Sequence, residues 1–189
     1  DVAAQVDRVE GSYWVGVDGP GNTRVNIGEP TTIGEPTASG VAALAYSDED
    51  LLAADVAGAL VVFEDPPFPE ETWRVPLAHT RVALVADDDG YAWVANEGYT
   101  VSRVDLESWH ITDVEVGDRP TAIALGEGSV WVANGSDGTV SRIRPFPLVV
   151  TATIEVGRDP TAVAVGEGAV WVANGLDGTV SRIDPATNT

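Results

Sequence analysis

The sequence predicts an all-β protein: a β-propeller of four-stranded blades, each of roughly 40 residues, with five recognisable repeats, open or completed by another strand. Three observations predict it. First, Val116–Ile143 (VGDRPTAIALGEGSVWVANGSDGTVSRI) returns at Val156–Ile183 with 22 of 28 positions identical. Second, each unit holds short runs in which apolar residues alternate with polar ones, separated by Gly, Asn, Asp and Pro. That is the pattern of half-buried strands and tight turns, and no stretch carries the spacing of an amphipathic helix. Third, residue sizes are graded across the unit. Small residues (Ala42, Ala43, Ala83, Ala122, Ala124, Ala162, Ala164) mark the first strand, which lies nearest the axis. Trp93, Trp131 and Trp171 mark the second, where they fill the widening wedge between blades.

In chain order, the blades are placed at about 1–36, 37–78, 79–117, 118–157 and 158–189, as one domain. The first unit is degenerate: Val2 to Val9 reads as its inner strand, Tyr13 to Val17 as the Trp-bearing strand, residues 18–22 as a turn and Thr23 to Ile27 as the third strand. Its Gly-Glu-Pro repeats at 28–30 and 34–36 leave little room for a fourth. In the second unit, Val41 to Tyr46, Leu51 to Asp55, Ala59 to Phe63 and Thr72 to Leu77 are the strands, with Leu52 in the Trp position. The third has Arg81 to Ala86, Ala92 to Asn96, Thr100 to Val104 and His110 to Val116. The fourth has Thr121 to Leu125, Val130 to Ala133, Thr139 to Ile143 and Val149 to Val156. The fifth repeats the fourth up to Ile183, and the chain ends at Thr189 where an outer strand is due. Val2 to Val9 supplying that strand, an edge left to pair with another molecule, or a longer propeller all remain open.

Thirty acids against ten bases, all Arg, give a formal charge of −20. Such a surface repels nucleic acid and anionic membranes and favours basic partners, cations or screening salt. A solubility device and adaptation to concentrated salt both account for it. Without Cys there is no disulfide framework or thiol chemistry. No apolar run reaches 18 residues, so no membrane insertion is expected, and Asp1 reads as a processed or artificial terminus.

Candidate site residues fall on the two loop faces. The hairpin turns at 134–138 and 174–178 share a face with the loops at 117–120 and 157–160. That gathers Asn134, Asp137, Asn174, Asp177, Arg119 and Arg158 as a ligand or partner rim, with His79 entering near the same end. Turn formation explains the Asn and Asp equally well. The order Asp118-Arg119 reverses to Arg158-Asp159, as if a local pair were kept and its order were free. On the opposite face, Phe68 and Phe146 sit between prolines as contact loops, or fold back on the outer strand. Arg103, Arg142 and Arg182 recur on the third strand, with Asp105 and Asp184 two residues after the first and last, and read as a structural ladder. No cofactor is expected. Ca2+ or Mg2+ at Asp87, Asp88 and Asp89 is the weak metal candidate, but consecutive acids point alternately and a solvated turn fits better.

The motif P-T-A-[IV]-A-[LV]-G-E-G-x-V-W-V-A-N-G-x-D-G-T-V-S-R-I at 120–143 and 160–183, with I-D-P-A-T-N at 183–188, resembles the YVTN-type bacterial propeller repeat. It also resembles NHL-like and virginiamycin B lyase-like propellers. The resemblance implies a secreted or cell-surface binding or scaffolding module. For the lyase-like members it implies a His base and a Mg2+-binding Glu, where their second strand ends W-F-T-E. Here that strand ends W-V-A-N, with Asn96, Asn134 or Asn174 in place of Glu, and His110 lies far from His79. The expectation is therefore a non-enzymatic extracellular or cell-surface module that binds a protein partner or itself. The rivals are a lyase-like or lactonase-like enzyme with a metal in its channel, and a filament subunit.

Overall fold

The computed structural model describes residues 4–8, 11–17, 23–27, 41–47, 50–55, 59–64, 73–77 and 81–189. His79, Phe68 with its proline loop, the 18–22 turn and the 28–40 stretch lie outside the described residues. The chain divides into two compact units, 1–81 and 82–189. Among the described residues no helix is long and apolar enough to cross a membrane.

In the first unit, β1 (Ala4–Arg8), β2 (Gly11–Val17) and β3 (Thr23–Ile27) form one antiparallel sheet in that order. Gln5 stands opposite Trp14, so β1 is the inner strand of its own sheet. The second sheet is β4 (Val41–Ser47), β5 (Asp50–Asp55), β6 (Ala59–Glu64) and β7 (Trp73–Pro76), again in sequence order. Leu52, in the Trp position, is fully buried.

The second unit stacks three sheets. The first is β8 (Arg81–Ala86), β9 (Tyr91–Asn96), β10 (Thr100–Asp105) and β11 (Ile111–Glu115). The second is β12 (Pro120–Gly126), β13 (Ser129–Asn134), β14 (Thr139–Arg144) and β15 (Val149–Glu155). The third is β16 (Pro160–Gly166), β17 (Ala169–Asn174) and β18 (Thr179–Ile183). Neighbours are consecutive in sequence, and β9–β11, β12–β15 and β16–β18 pair antiparallel, as short turns require. Between β12 and β13 the turn has only two residues, Glu127 and Gly128, at φ 51° and 65°. Positive φ at both positions is the twist-matched hairpin turn, and glycine takes it without a Cβ clash. At the start of β4, β12 and β16 the register shifts by one residue after the first residue, Val41, Pro120 or Pro160, so the bulge belongs to the blade and does not need the proline.

The V-W-V triplet explains how the sheets stack. Successive side chains on a strand point to opposite faces. Trp93 and Val101 pack on Val130, Val132 and Ile143 of the next sheet. Trp131, Val140 and Ile154 pack in turn on Val170, Val172 and Ile183. Twice, then, one face of a sheet gives the Trp and the next sheet receives it on two Val and an Ile. On β15 and at the residue after it, Ala152, Ile154 and Val156 line this cluster while Thr151, Thr153 and Glu155 face water, as the alternation predicts. Trp171 departs from the expectation of burial between blades: it is 41% exposed, against 0% for Trp131.

Candidate functional site

The rim loops of the second unit are built from buried amides below and ion pairs above. Asn134 and Asn174 end β13 and β17 and are buried, not displayed at the rim. Each clamps its own hairpin. Asn134 Nδ2 donates to Thr139 Oγ1 (3.0 Å) and Ser141 Oγ (2.9 Å), and Asn174 Nδ2 to Thr179 Oγ1 (3.1 Å) and Ser181 Oγ (2.9 Å). Asn96 does the same with Thr100 and Ser102. The Asn that ends W-V-A-N is therefore a strand-end clamp read by T-x-S, since a buried amide needs partners. Asn174 Oδ1 also accepts the Gly157 N–H at 3.1 Å. A Cβ at Gly157 would lie 2.6 Å from Asn174 Cγ, so this approach admits glycine alone. Asn96 Oδ1 and Asn134 Oδ1 are buried without a partner.

Asp137 and Asp177 receive the loop before the inner strand. Asp137 Oδ2 accepts the Asp118 N–H, and Asp177 Oδ2 the Arg158 N–H, both at 2.7 Å. Arg158 Nε adds a 2.7 Å ion pair to Asp177 Oδ1, while Arg119 donates to Asp159 of the next blade and to Ser136 Oγ. The local Asp–Arg pair expected within each loop does not form. The ion pairs run between loops, and the reversed order at 158–159 places Asp159 opposite Arg119. Arg119 and Arg158 keep much of their surface in solvent, so these pairs fix loop geometry more than they stabilise the fold.

The Arg158 backbone N–H, then its side chain, hold the Asp177 carboxyl below its usual value of 3.8. A lowered folded value means that the carboxylate's contribution is present above 3.8 and lost as pH falls through the folded value. Hydrogen exchange of the Arg158 amide should therefore be slow at neutral pH and quicken, relative to the free-peptide rate, only below 3.8. In Asp177→Ala it should be open at every pH; unchanged protection in that variant would contradict the assignment.

Asp87 is a turn organiser. Its Oδ1 accepts the N–H groups of Asp89 (3.1 Å) and Tyr91 (2.9 Å), and its Oδ2 the Trp93 indole at 2.7 Å. Asp88 and Asp89 are exposed. Among the described residues no three His, Asp or Glu side chains are grouped to hold a metal.

On the opposite face the recurrent Arg residues do something the sequence reading missed. Arg103 Nη1 donates to the Pro145 carbonyl of the next blade (2.9 Å), and Arg142 Nη1 to Pro185 O (2.6 Å) and Asn188 Oδ1 (2.9 Å). Each guanidinium also lies over its own blade's Trp, Arg142 at 4.8 Å from the Trp131 ring centre. The ladder thus runs from arginine to a turn carbonyl, not from arginine to Asp105 or Asp184. Phe146 is 52% exposed and its ring contact is not with its own outer strand but edge-on with Tyr91 of β9 in the preceding sheet (5.3 Å), under Arg103. The signal lay in the spacing of Arg to Pro-bearing turns, 42 residues for Arg103 and Pro145 and 43 for Arg142 and Pro185.

No family profile matches the chain, and no curated protein sequence matches it. Solved structures do. Hydrazine synthase of Kuenenia stuttgartiensis superimposes at TM-score 0.74 and 17% identity, over 80% of this chain and 48% of that one. Apo AztD of Citrobacter koseri gives 0.70 and 14%, over 99% and 57%, and the nidogen/laminin complex 0.75 and 12%, over 95% and 73%. The chain spans about half the length of the first two of these. At such identities the likeness carries the fold alone, and with the stacked four-stranded meanders it makes this chain a β-propeller protein.

Proposed function

We propose that the chain is a non-enzymatic binding and scaffold module of the YVTN/NHL-like kind, extracellular or at the cell surface, that associates with its own kind through the β16–β18 sheet. One observation carries the reading: Trp171 (41%), Val180 (65%) and Leu176 (70%) are exposed together in that sheet and its hairpin, whereas Trp131 and Val140, at the matching places one blade earlier, are 0% exposed. A cluster of exposed apolar groups of this kind marks a contact surface. The nidogen structure, a complex with laminin, is a precedent for protein contacts in a protein of this fold. The rim carboxylates support the non-enzymatic part, because Asp137 and Asp177 are taken up by loop amides. Light scattering over a concentration series tests the proposal. Mass should rise with concentration in the wild type and stay monomeric in the Leu176→Asp/Val180→Asp double variant. A wild type that is monomeric throughout overturns self-association. Bound Mg2+ or Ca2+ lost together with a catalytic activity in His79→Ala would overturn the non-enzymatic part.

A further inference from the structure

We propose that Asn134 and Asn174 are sites of intramolecular deamidation, held shut by the loop that precedes the inner strand of the same sheet and released when that loop lifts. Packing calls for both residues of each reactive pair, and the same packing silences it.

The pairs are Asn134-Gly135 and Asn174-Gly175. The reaction needs no partner but water. The backbone nitrogen of the glycine loses its proton and attacks the asparagine Cγ, the Cγ–Nδ2 bond breaks, and ammonia leaves. Water then opens the cyclic imide to an aspartyl or an isoaspartyl link. A glycine after the asparagine favours ring closure, because it brings no side chain to obstruct the approach and adopts backbone angles closed to other residues.

Each residue of the pair has a packing reason. The asparagine is wanted from below, where Asn134 and Asn174 each donate to a Thr and a Ser of the next strand. The glycine is wanted from above. A Cβ at Gly135 would lie 2.7 Å from Arg119 Nη2 and 2.8 Å from Thr121 Cγ2, and one at Gly175 would lie 3.0 Å from Thr161 Cγ2 and 3.2 Å from Asp159 O. β9 supplies the contrast. Asn96 makes the same clamp to Thr100 and Ser102 and is as deeply buried, but Glu97 follows it.

In the closed state both reacting nitrogens are engaged. The attacking one binds the loop: the Gly135 N–H donates to Arg119 O and the Gly175 N–H to Asp159 O, both at 2.8 Å. The leaving one is the clamp donor, and Asn134 and Asn174 are 0% and 2% exposed. Loops 117–119 and 157–159 are fastened in turn by Asp137 and Asp177, which accept the Asp118 and Arg158 N–H groups. Those two carboxylates are the latches. Reaction at Asn134 is one-way for the rim. A Cβ at Gly117 would lie 2.7 Å from both Asn134 Nδ2 and Asp137 Oδ2, so the carboxylate that replaces the amide is buried close to a like charge. The loop does not reclose over it.

The test incubates the full chain at mildly alkaline pH, folded and in denaturant, and follows each asparagine by peptide mapping with mass spectrometry. Deamidation and amide exchange both need the glycine N–H free and deprotonated. Deamidation of Asn134 should therefore be slower in the folded than in the unfolded chain by the protection factor of the Gly135 amide, to within about tenfold. Asn96 should lag both other sites in the unfolded chain. Asp137→Ala should speed reaction at Asn134 at least about tenfold and leave Asn174 unchanged, and Asp177→Ala should do the reverse. The deamidated chain, separated by its added negative charge, should show the Asp118 amide unprotected. A folded rate equal to the unfolded one, a slowing that does not follow Gly135 protection, or no speeding by the latch variant of the same sheet would each overturn the inference. Retained Asp118 protection would overturn the one-way step. Should a variant unfold outright, both sites accelerate together, and the wild-type comparison of deamidation with Gly135 exchange decides alone.

Discussion

Trp131→Ala is expected to cost about 3–5 kcal/mol, and Trp171→Ala well under half of that, although the two residues sit in nearly identical sequence. Trp131 is fully buried between two sheets, against Val170, Val172 and Ile183, with its indole N–H donating to Gly126 O at 3.0 Å. Truncation there removes a large buried ring and opens a cavity that two rigid sheets cannot close. Trp171 keeps the equivalent bond to Gly166 O at 3.3 Å but is 41% exposed, so water already holds much of its surface. Because the chain has two compact units, the readout is denaturant-dependent hydrogen exchange of the β13 and β17 amides rather than a global melt. Equal costs at the two positions would mean that a cover exists over Trp171 as complete as the one over Trp131.

The second large effect is expected at Arg142. Its Nη1 reaches Pro185 O and Asn188 Oδ1 of the following blade, its Nε reaches Ser129 Oγ at 2.9 Å, and its guanidinium lies on the Trp131 ring. Arg142→Ala removes charge-assisted bonds and the ring contact together and should destabilise the β12–β18 region by about 2–4 kcal/mol. Arg142→Lys should rescue little, since an ammonium cannot serve three acceptors and lie flat on the indole at once. Arg182→Ala is the matched control. Arg182 lies 5.8 Å from the Trp171 ring centre and has no turn carbonyl to hold among the described residues, so its loss should be nearly silent. The same exchange measurement decides, and a cost at Arg182 matching that at Arg142 would contradict the assigned role.

The architecture was legible because period and alternation act at every position. β3 and β8 fall where the sequence reading places them, and other strands differ by a residue or two at their ends. The Trp of V-W-V was legible as a wedge, because its size has no other outlet between sheets. Its exposure at Trp171 was not, since exposure depends on what lies against a residue and not on its neighbours in sequence. The Asn of W-V-A-N looked like a rim residue because N-G reads as a turn. Only the register, which sets Asn134 opposite Thr139, turns it inward as a clamp. Arg119 and Asp159 could be listed from the sequence, but their pairing across forty residues required the stacking of one blade on the next. The same holds for Arg142 and Pro185, where a side chain answers a backbone carbonyl that carries no sequence signature of its own.

The arginine contacts also have a sense. In residues 82–189 each one reaches forward, from Arg103 to Pro145 and from Arg142 to Pro185, so a blade is clasped by the one before it. Clasps that all run one way give the array a polarity. Loosening of a receiving turn strips the preceding arginine of its acceptors and uncovers that arginine's tryptophan, so a disturbance in residues 82–189 passes backward from sheet to sheet, as shingles lift in the order opposite to their laying.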